Sequence, residues 1–179
     1  MFNKVREEGN REVKLGINFI KDKVMEIKKI ETEIKVCDYD ELPDDDRELV
    51  DAAREMTYTS YAPYSKFNVG AAIRMEDGII VRGSNQENAA YPSGTCAERT
   101  ACYQASALHP GKAMKKIAIA ARTSSGFQEK PISPCGACRQ ALAEYEKLYG
   151  PMEVLLYGQD CVYVLPSVAS LLPLCFTEF

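Results

Sequence analysis

Residues 95–99 read TCAER, and residues 133–139 read SPCGACR. Together the two stretches supply three thiols, those of Cys96, Cys135 and Cys138, and one carboxylate, that of Glu98. A zinc ion in a catalytic role takes three protein ligands and keeps a fourth position for water. A carboxylate two residues after the first thiol is placed to move protons for that water. The pattern therefore predicts a zinc site with these three cysteines as metal ligands and Glu98 as the catalytic residue.

The segments around these stretches predict a mixture of helices and strands. Helices are predicted at residues 43–58, 95–107, 135–147 and 167–172. Strands are predicted at residues 67–75, 79–83, 116–122, 154–157 and 161–165, with a further edge strand within residues 26–37. This order of elements is typical of an α/β fold in which helices cover a sheet.

The predicted helices bring the thiols to a common point. Cys96 lies in the first turn of one helix, and Cys135 and Cys138 lie in the first turn of another, facing the same way. Two helix N-termini create a positive field that lowers the pKa of thiols and stabilises thiolates. Three thiolates on a divalent ion leave a net charge of about −1, which makes the bound water less acidic. We expect a cation to offset this charge, with Arg99 as the first candidate and Arg139 as the weaker one.

The CxxC pair has two other interpretations. It could be a redox pair, or half of a structural zinc site whose fourth ligand is another cysteine. The further cysteines are Cys37, Cys102, Cys161 and Cys175. Cys102 follows Cys96 by six residues, so it faces another side of a regular helix. A redox pair would not require the CAE stretch at residues 96–98. The combination of this stretch with the CxxC pair therefore favours a catalytic zinc site.

Length and composition limit the classes of protein. The chain has 179 residues, 46% of them hydrophobic and 27% charged, which is typical of one globular domain. Its net charge of −4 gives no bulk attraction for nucleic acid or anionic membranes. With an odd number of cysteines, seven, and no secretory apolar region at the start of the chain, we expect a cytoplasmic protein without membrane or nucleic-acid partners.

The start of the chain differs from the rest. Residues 1–24 are rich in Lys, Arg and Glu, and their apolar positions do not form one clean helical face. We assign them to an N-terminal extension, either helical or disordered, and residues 25–179 to one domain. Met25 is an alternative start of the chain.

Five segments of the sequence resemble one known family. They read YAPYSKFNVGAA at 61–72, NQENAAYP at 85–92, TCAERTA at 95–101, SPCGACRQ at 133–140 and LLPLCF at 171–176. In this order they resemble the small, homotetrameric cytidine deaminases with three zinc-binding cysteines. Asn68 departs from the pattern, since the family often has proline there, which affects the entry to the strand but removes no chemistry.

The resemblance implies a fold and a reaction. The fold is a three-layer α-β-α sandwich with a mixed five-stranded sheet. The reaction is the hydrolytic deamination of cytidine and 2′-deoxycytidine in pyrimidine salvage. One zinc ion per chain activates water for attack on C4 of cytosine, and Glu98 carries protons from the water to ring N3 and to the leaving amine.

The resemblance also implies how the nucleoside is bound. Five residues take part: Phe67 stacks on the pyrimidine, Asn85 and Glu87 bind the ribose, the N–H of Ala97 holds O2, and Phe176 closes the pocket from a neighbouring subunit. The assembly is a homotetramer whose subunits share active sites, with Tyr91 near the boundary.

Three rival functions remain open at this point. Deamination of a cytosine-bearing antibiotic such as blasticidin S would use the same zinc site, but Asn85 and Glu87 suit a ribose. Editing of a polynucleotide would require more positive charge than this chain has. A zinc-stabilised binding module without catalysis would have no use for Glu98.

Overall fold

A mixed β-sheet forms the middle layer of the protein. The structure, a computed structural model, describes residues 25–177. Its strands are β1 (Lys35–Cys37), β2 (Asn68–Met75), β3 (Ile80–Ser84), β4 (Met114–Thr123), β5 (Gly126–Phe127), β6 (Glu153–Tyr157) and β7 (Val162–Leu165). They lie in the order β1-β7-β6-β4-β2-β3, and β5 pairs with β4. β4 and β6 are parallel, whereas the other pairs are antiparallel.

Helices cover both faces of this sheet. They are α1 (Asp44–Met56), α2 (Ala97–Leu108) and α3 (Gly136–Tyr149), with short 3-10 turns at Tyr39–Glu41, Tyr91–Ser93 and Val168–Leu171. α1 packs on one face, and α2 and α3 pack on the other. The α/β class and the three-layer sandwich are therefore confirmed.

Alternation along the strands separates the two cores. Ile73 and Ile117 point towards α2 and α3, while their neighbours Ala72 and Ala118 point towards α1. All four are fully buried. Because β4 is covered on both faces, its sequence is a continuous apolar run rather than an alternating one. The small alanine side chains let α1 lie close to the sheet.

Within residues 25–177, the sheet has two short strands beyond the five that the resemblance implies. The expected strands are present as β2, β3, β4, β6 and β7. The edge strand predicted within residues 26–37 is present as β1, which has only three residues and pairs with β7. β5 has two residues and forms a hairpin with β4. The helix predicted at 167–172 is a 3-10 turn.

Two further expectations concern the N-terminus and membranes. The extension assigned to residues 1–24 lies outside the described residues, so its helical or disordered character stays a prediction. Within residues 25–177, no helix combines the length and the apolar character needed to span a bilayer.

Gly83 sets the distance between β3 and α2, the helix that carries Glu98. A Cβ atom at this position would lie 2.5 Å from the backbone nitrogen of Ala101 and 2.8 Å from the carbonyl oxygen of Ala97. Favourable contacts between heavy atoms begin at about 3.5 Å, so any side chain here would collide with the helix backbone. Glycine is therefore required for α2 to rest directly on the strand.

Replacing Gly83 with alanine is expected to push α2 away from the sheet. Overpacking of this kind lowers the free energy of unfolding by about 1–3 kcal/mol, which urea denaturation measures. Arg82→Ala, at an exposed position of the same strand, is the matched control and should change that free energy by less than about 0.5 kcal/mol. Wild-type stability of Gly83→Ala would contradict the close packing.

Candidate metal centre

The three predicted ligands meet where two helices begin. Cys96 is the N-cap of α2, and Cys135 is the N-cap of α3. Cys138 lies in the first turn of α3 and is fully buried. Two of the thiols thus stand at the caps, one position before the first turns in which the sequence placed them. Both helix starts direct N–H groups and the positive ends of their dipoles towards the cluster.

The sulfur atoms are close enough together to bind one metal ion. Cys96 Sγ lies 3.9 Å from Cys135 Sγ, and Cys135 Sγ lies 3.4 Å from Cys138 Sγ. A tetrahedral zinc ion with sulfur ligands at about 2.3 Å separates those ligands by about 3.8 Å. The three cysteines therefore fit zinc. Within residues 25–177, no fourth Cys, His, Asp or Glu joins their group, which matches a catalytic rather than a four-ligand structural site.

The other cysteines do not belong to this group. Cys37, Cys102, Cys161 and Cys175 are all free thiols. Cys102 is fully buried, and its Sγ lies 3.9 Å from Met114 Sδ in the core, as its spacing from Cys96 predicts. Burial raises the pKa of Cys102 to about 12, so its thiol stays protonated and unreactive.

Glu98 lies in the first turn of α2 and is only 4% exposed. Burial raises the pKa of its carboxyl group, and the negative charge on Cys96 raises the pKa further. Hydrogen bonding with Cys138 acts in the opposite sense and lowers the pKa, so the carboxyl group interacts with the thiols of the cluster. A raised pKa makes the carboxylate a better proton acceptor, which suits a residue that shuttles protons.

Arg99 is the cation beside the sulfurs, as the sequence predicts. Its Nη2 lies 4.0 Å from Cys96 Sγ. Hydrogen bonding from Cys138, together with Arg99, lowers the pKa of Cys96 to about 5. The hydrogen bond to Cys96 in turn raises the pKa of Cys138. One ionised thiol thus opposes the ionisation of the next, and a divalent cation at the cluster would remove this conflict.

Arg139, the weaker candidate for this task, is engaged elsewhere. Its Nε donates to the carbonyl oxygen of Pro134 at 2.8 Å, and its Nη1 donates to the carbonyl oxygen of Leu171 at 2.7 Å. Its Nη2 donates to Ser133 Oγ at 2.9 Å. Arg139 therefore fixes the chain just before Cys135 to the 3-10 turn near the C-terminus.

A cleft of about 310 Å³ opens beside Cys96. Its lining includes Asn85 and Glu87, both predicted to bind substrate, together with Arg99. Residues that the sequence had not assigned to the pocket complete it: Gln86, Asn88, Tyr91, Gly94 and Thr95. The volume is at the lower end of the range for small-ligand sites, about 300–1,000 Å³.

Asn85 links the end of the sheet to this cleft. Its Oδ1 accepts the N–H of Val69 at 2.8 Å, and its Nδ2 donates to the carbonyl oxygen of Phe67 at 3.0 Å. Its main-chain carbonyl accepts the N–H of Tyr61 at 3.0 Å instead of continuing the strand pairing. Because the amide nitrogen carries two hydrogens, the contact with Phe67 is compatible with the predicted contact to ribose. This structural task of Asn85 could not be predicted from the sequence.

Glu87 is held by the neighbouring loop. Its Oε2 accepts the N–H groups of Tyr64 at 2.8 Å and Ser65 at 3.3 Å. Hydrogen bonding from the Ser65 side chain, followed by these backbone bonds, lowers the pKa of Glu87, so its carboxylate stays ionised. An ionised carboxylate is a strong acceptor for hydroxyl groups.

The three remaining predicted site residues lie in different surroundings. Ala97 is fully buried at the first position of α2, where a helix leaves its N–H without an intrahelical partner. Phe67 is half-buried directly before β2 and is tied to the cleft through Asn85. Phe176 is 68% exposed beside α3 and does not line the cleft of its own chain.

The sequence of the central part of the chain matches a family description. Residues 43–149 match the cytidine and deoxycytidylate deaminase zinc-binding region. This range contains all three thiols of the cluster and Glu98. The chain belongs to the cytidine and deoxycytidylate deaminase family. The resemblance read from the five sequence segments is therefore confirmed.

Relatives within this deaminase family match most of the chain. A cytidine deaminase of Sporosarcina psychrophila is 42% identical over 135 residues, which cover 75% of this chain and 93% of that protein. A probable cytidine deaminase of Dictyostelium discoideum is 36% identical over 129 residues, covering 72% of this chain and 82% of that protein. The crystal structure of cytidine deaminase from Burkholderia pseudomallei aligns with a TM-score of 0.62 at 42% identity, over 72% of this chain and 97% of that chain.

Cys138 is expected to be needed for zinc binding. Cys138→Ala removes one of three thiolates, so the purified protein should lose most of its zinc, as measured by inductively coupled plasma mass spectrometry. The matched control is Cys102→Ala, which removes an equally buried thiol outside the cluster and should keep its zinc. A wild-type zinc content in Cys138→Ala would show that the cluster is not the metal site.

Proposed function

We propose that the protein converts cytidine and 2′-deoxycytidine to uridine and 2′-deoxyuridine by hydrolysis, with release of ammonia. One observation carries the proposal: the three thiols meet beside the buried carboxyl group of Glu98. Membership of the deaminase family and 42% identity to a cytidine deaminase support the reaction. The cleft lined by Asn85 and Glu87 supports a nucleoside as substrate.

Cys96, Cys135 and Cys138 would hold one zinc ion per chain. When bound, zinc supplies a Lewis acid that makes water a nucleophile at neutral pH. Arg99, 4.0 Å from Cys96 Sγ, offsets part of the negative charge of the thiolates. The N-termini of α2 and α3 act in the same sense.

Glu98 would carry the protons of the reaction. Its carboxylate takes a proton from water and passes it to ring N3 as the oxygen bonds to C4. It then passes the second proton to the exocyclic amine, the C4–N bond breaks, and ammonia leaves with the carbonyl formed at C4. The raised pKa of Glu98 supports this role, because both protonation states are needed in turn.

Five residues would place the nucleoside for this attack. Phe67 stacks on the pyrimidine, and the N–H of Ala97 donates to O2. Asn85 and Glu87 bind the ribose hydroxyls, which the ionised state of Glu87 supports. Phe176 closes the pocket from a neighbouring subunit.

We also infer that four chains assemble into a homotetramer with shared active sites. We further infer that the enzyme acts in the cytoplasm, in pyrimidine salvage. The exposed fraction of Tyr91, at 78%, supports an interface at the rim of the cleft. The position of Phe176 outside the cleft of its own chain supports an intersubunit role. Sedimentation equilibrium would show whether the mass in solution is that of four chains.

Glu98→Gln is the direct test of catalysis. The amide keeps the size of the side chain but cannot carry protons, so cytidine turnover should fall by at least ~10²-fold while zinc remains bound. The assay follows cytidine absorbance spectrophotometrically, with zinc quantified in the same sample. Glu144→Gln, at an exposed position of α3, is the matched control and should retain wild-type turnover. Unchanged turnover in Glu98→Gln would refute the role of this carboxylate.

The same assay separates the rival substrates. Blasticidin S replaces cytidine in a parallel series, and turnover of the antibiotic without turnover of cytidine would refute the proposed substrate. Zinc-replete wild-type protein that acts on neither compound would favour a binding module instead.

A further inference from the structure

The C-terminal tail is held by α3, the helix that also carries Cys138. Gln140 Nε2 donates to the carbonyl oxygen of Phe176 at 2.7 Å, and Gln140 Oε1 accepts the N–H of Phe176 at 3.2 Å. One side-chain amide therefore pairs with both backbone groups of a single residue, as a neighbouring strand would. Gln140 is half-buried, while the two hydrogen bonds themselves are exposed to water.

Two further contacts hold the tail on either side of this pair. Arg139 donates to the carbonyl oxygen of Leu171 at 2.7 Å. Lys147 donates to the carbonyl oxygen of Thr177. The backbone of the tail is thus fixed to α3 at Leu171, Phe176 and Thr177, while the side chains of Phe176 and Leu174 remain 68% and 83% exposed.

We propose that Gln140 is a positioning residue for Phe176. It fixes the backbone from which the phenyl ring projects, so the ring is aimed before substrate arrives. The inference rests on the proposed function, in which Phe176 closes the pocket of a neighbouring subunit. Gln140 does not line the cleft beside Cys96. It acts on the site only through the tail.

The physical effect of this pairing is preorganisation. A tail without the amide pair samples many backbone conformations, and ordering it costs conformational entropy. If that ordering has to occur when substrate binds, the cost appears in substrate binding rather than in the chemical step. Loss of the pair is therefore expected to raise KM and to leave kcat nearly unchanged.

The test uses four variants of the full chain. Gln140→Leu keeps a side chain of similar size without its hydrogen bonds, Phe176→Ala removes the ring, and a third variant combines both. Gln104→Leu is the matched control, since it makes the same change at an exposed position of α2. Each variant is measured for kcat and KM with cytidine, for bound zinc, and for thermal stability.

Gln140→Leu should raise KM by about five- to tenfold, the scale of losing one or two neutral hydrogen bonds. The change in kcat should be less than about twofold, and zinc content should match the wild type. Added to Phe176→Ala, the Gln140 substitution should have no further effect on KM, because the two residues act as one unit. Gln104→Leu should behave as the wild type.

A second readout does not depend on activity. Hydrogen–deuterium exchange of the peptide that contains Phe176 should be faster in Gln140→Leu than in the wild type, and unchanged in Gln104→Leu. A merely stabilising role for Gln140 would instead lower thermal stability and leave KM unchanged.

The outcomes distinguish this inference from the proposed function. If Gln140→Leu deaminates cytidine with the KM of the wild type, the inference about Gln140 is wrong, whereas the proposed function is unaffected. Additive effects of Gln140→Leu and Phe176→Ala on KM also overturn it, because they would show independent roles. Wild-type protein that binds zinc but does not deaminate cytidine overturns both.

Discussion

The convergence of two helix N-termini on one point is the constraint on which the rest of the structure depends. A tetrahedral ion accepts its sulfur ligands only within a few tenths of an ångström, so α2 and α3 must start side by side. Both helices rest on the same face of the sheet and share one hydrophobic core. α3 connects the parallel strands β4 and β6, which is a crossover that places a helix on a sheet face. The contact of α2 with β3 at Gly83 fixes the helix that begins at Cys96.

The main elements and the clustering of the three cysteines could be predicted because their signals are local. Cys96, Glu98 and the CxxC pair lie within a few residues of a helix start, and β4 shows its burial in its own composition. β5 has two residues, too few to show a period of two, and the three residues of β1 allowed its edge strand to be predicted only within the wider range 26–37. The destination of the Arg139 guanidinium could not be predicted, because its partner Leu171 lies far along the chain. The same holds for the pairing of Gln140 with Phe176.

Residues of the candidate site also carry structural tasks, which affects how variants are interpreted. Asn85 completes the pairing of β2 through its side chain and also lines the cleft. Glu87 holds the loop at Tyr64 while presenting an ionised carboxylate. Under the proposed function, a loss of activity after substitution of either residue would therefore combine lost substrate contacts with a displaced loop. Only a comparison of ligand binding with local stability separates the two contributions.

β1 also determines how the sheet meets other molecules. An uncovered β7 would offer a row of unpaired N–H and carbonyl groups to any strand in solution. β1 occupies that row at Lys35, Val36 and Cys37, each opposite a residue of β7. Among residues 25–177, the outermost strand on this side is therefore β1. It is only three residues long and begins with an exposed lysine, a combination that natural sheets use against edge-to-edge association. This side of the molecule is thereby built to resist polymerisation through its sheet at high concentration.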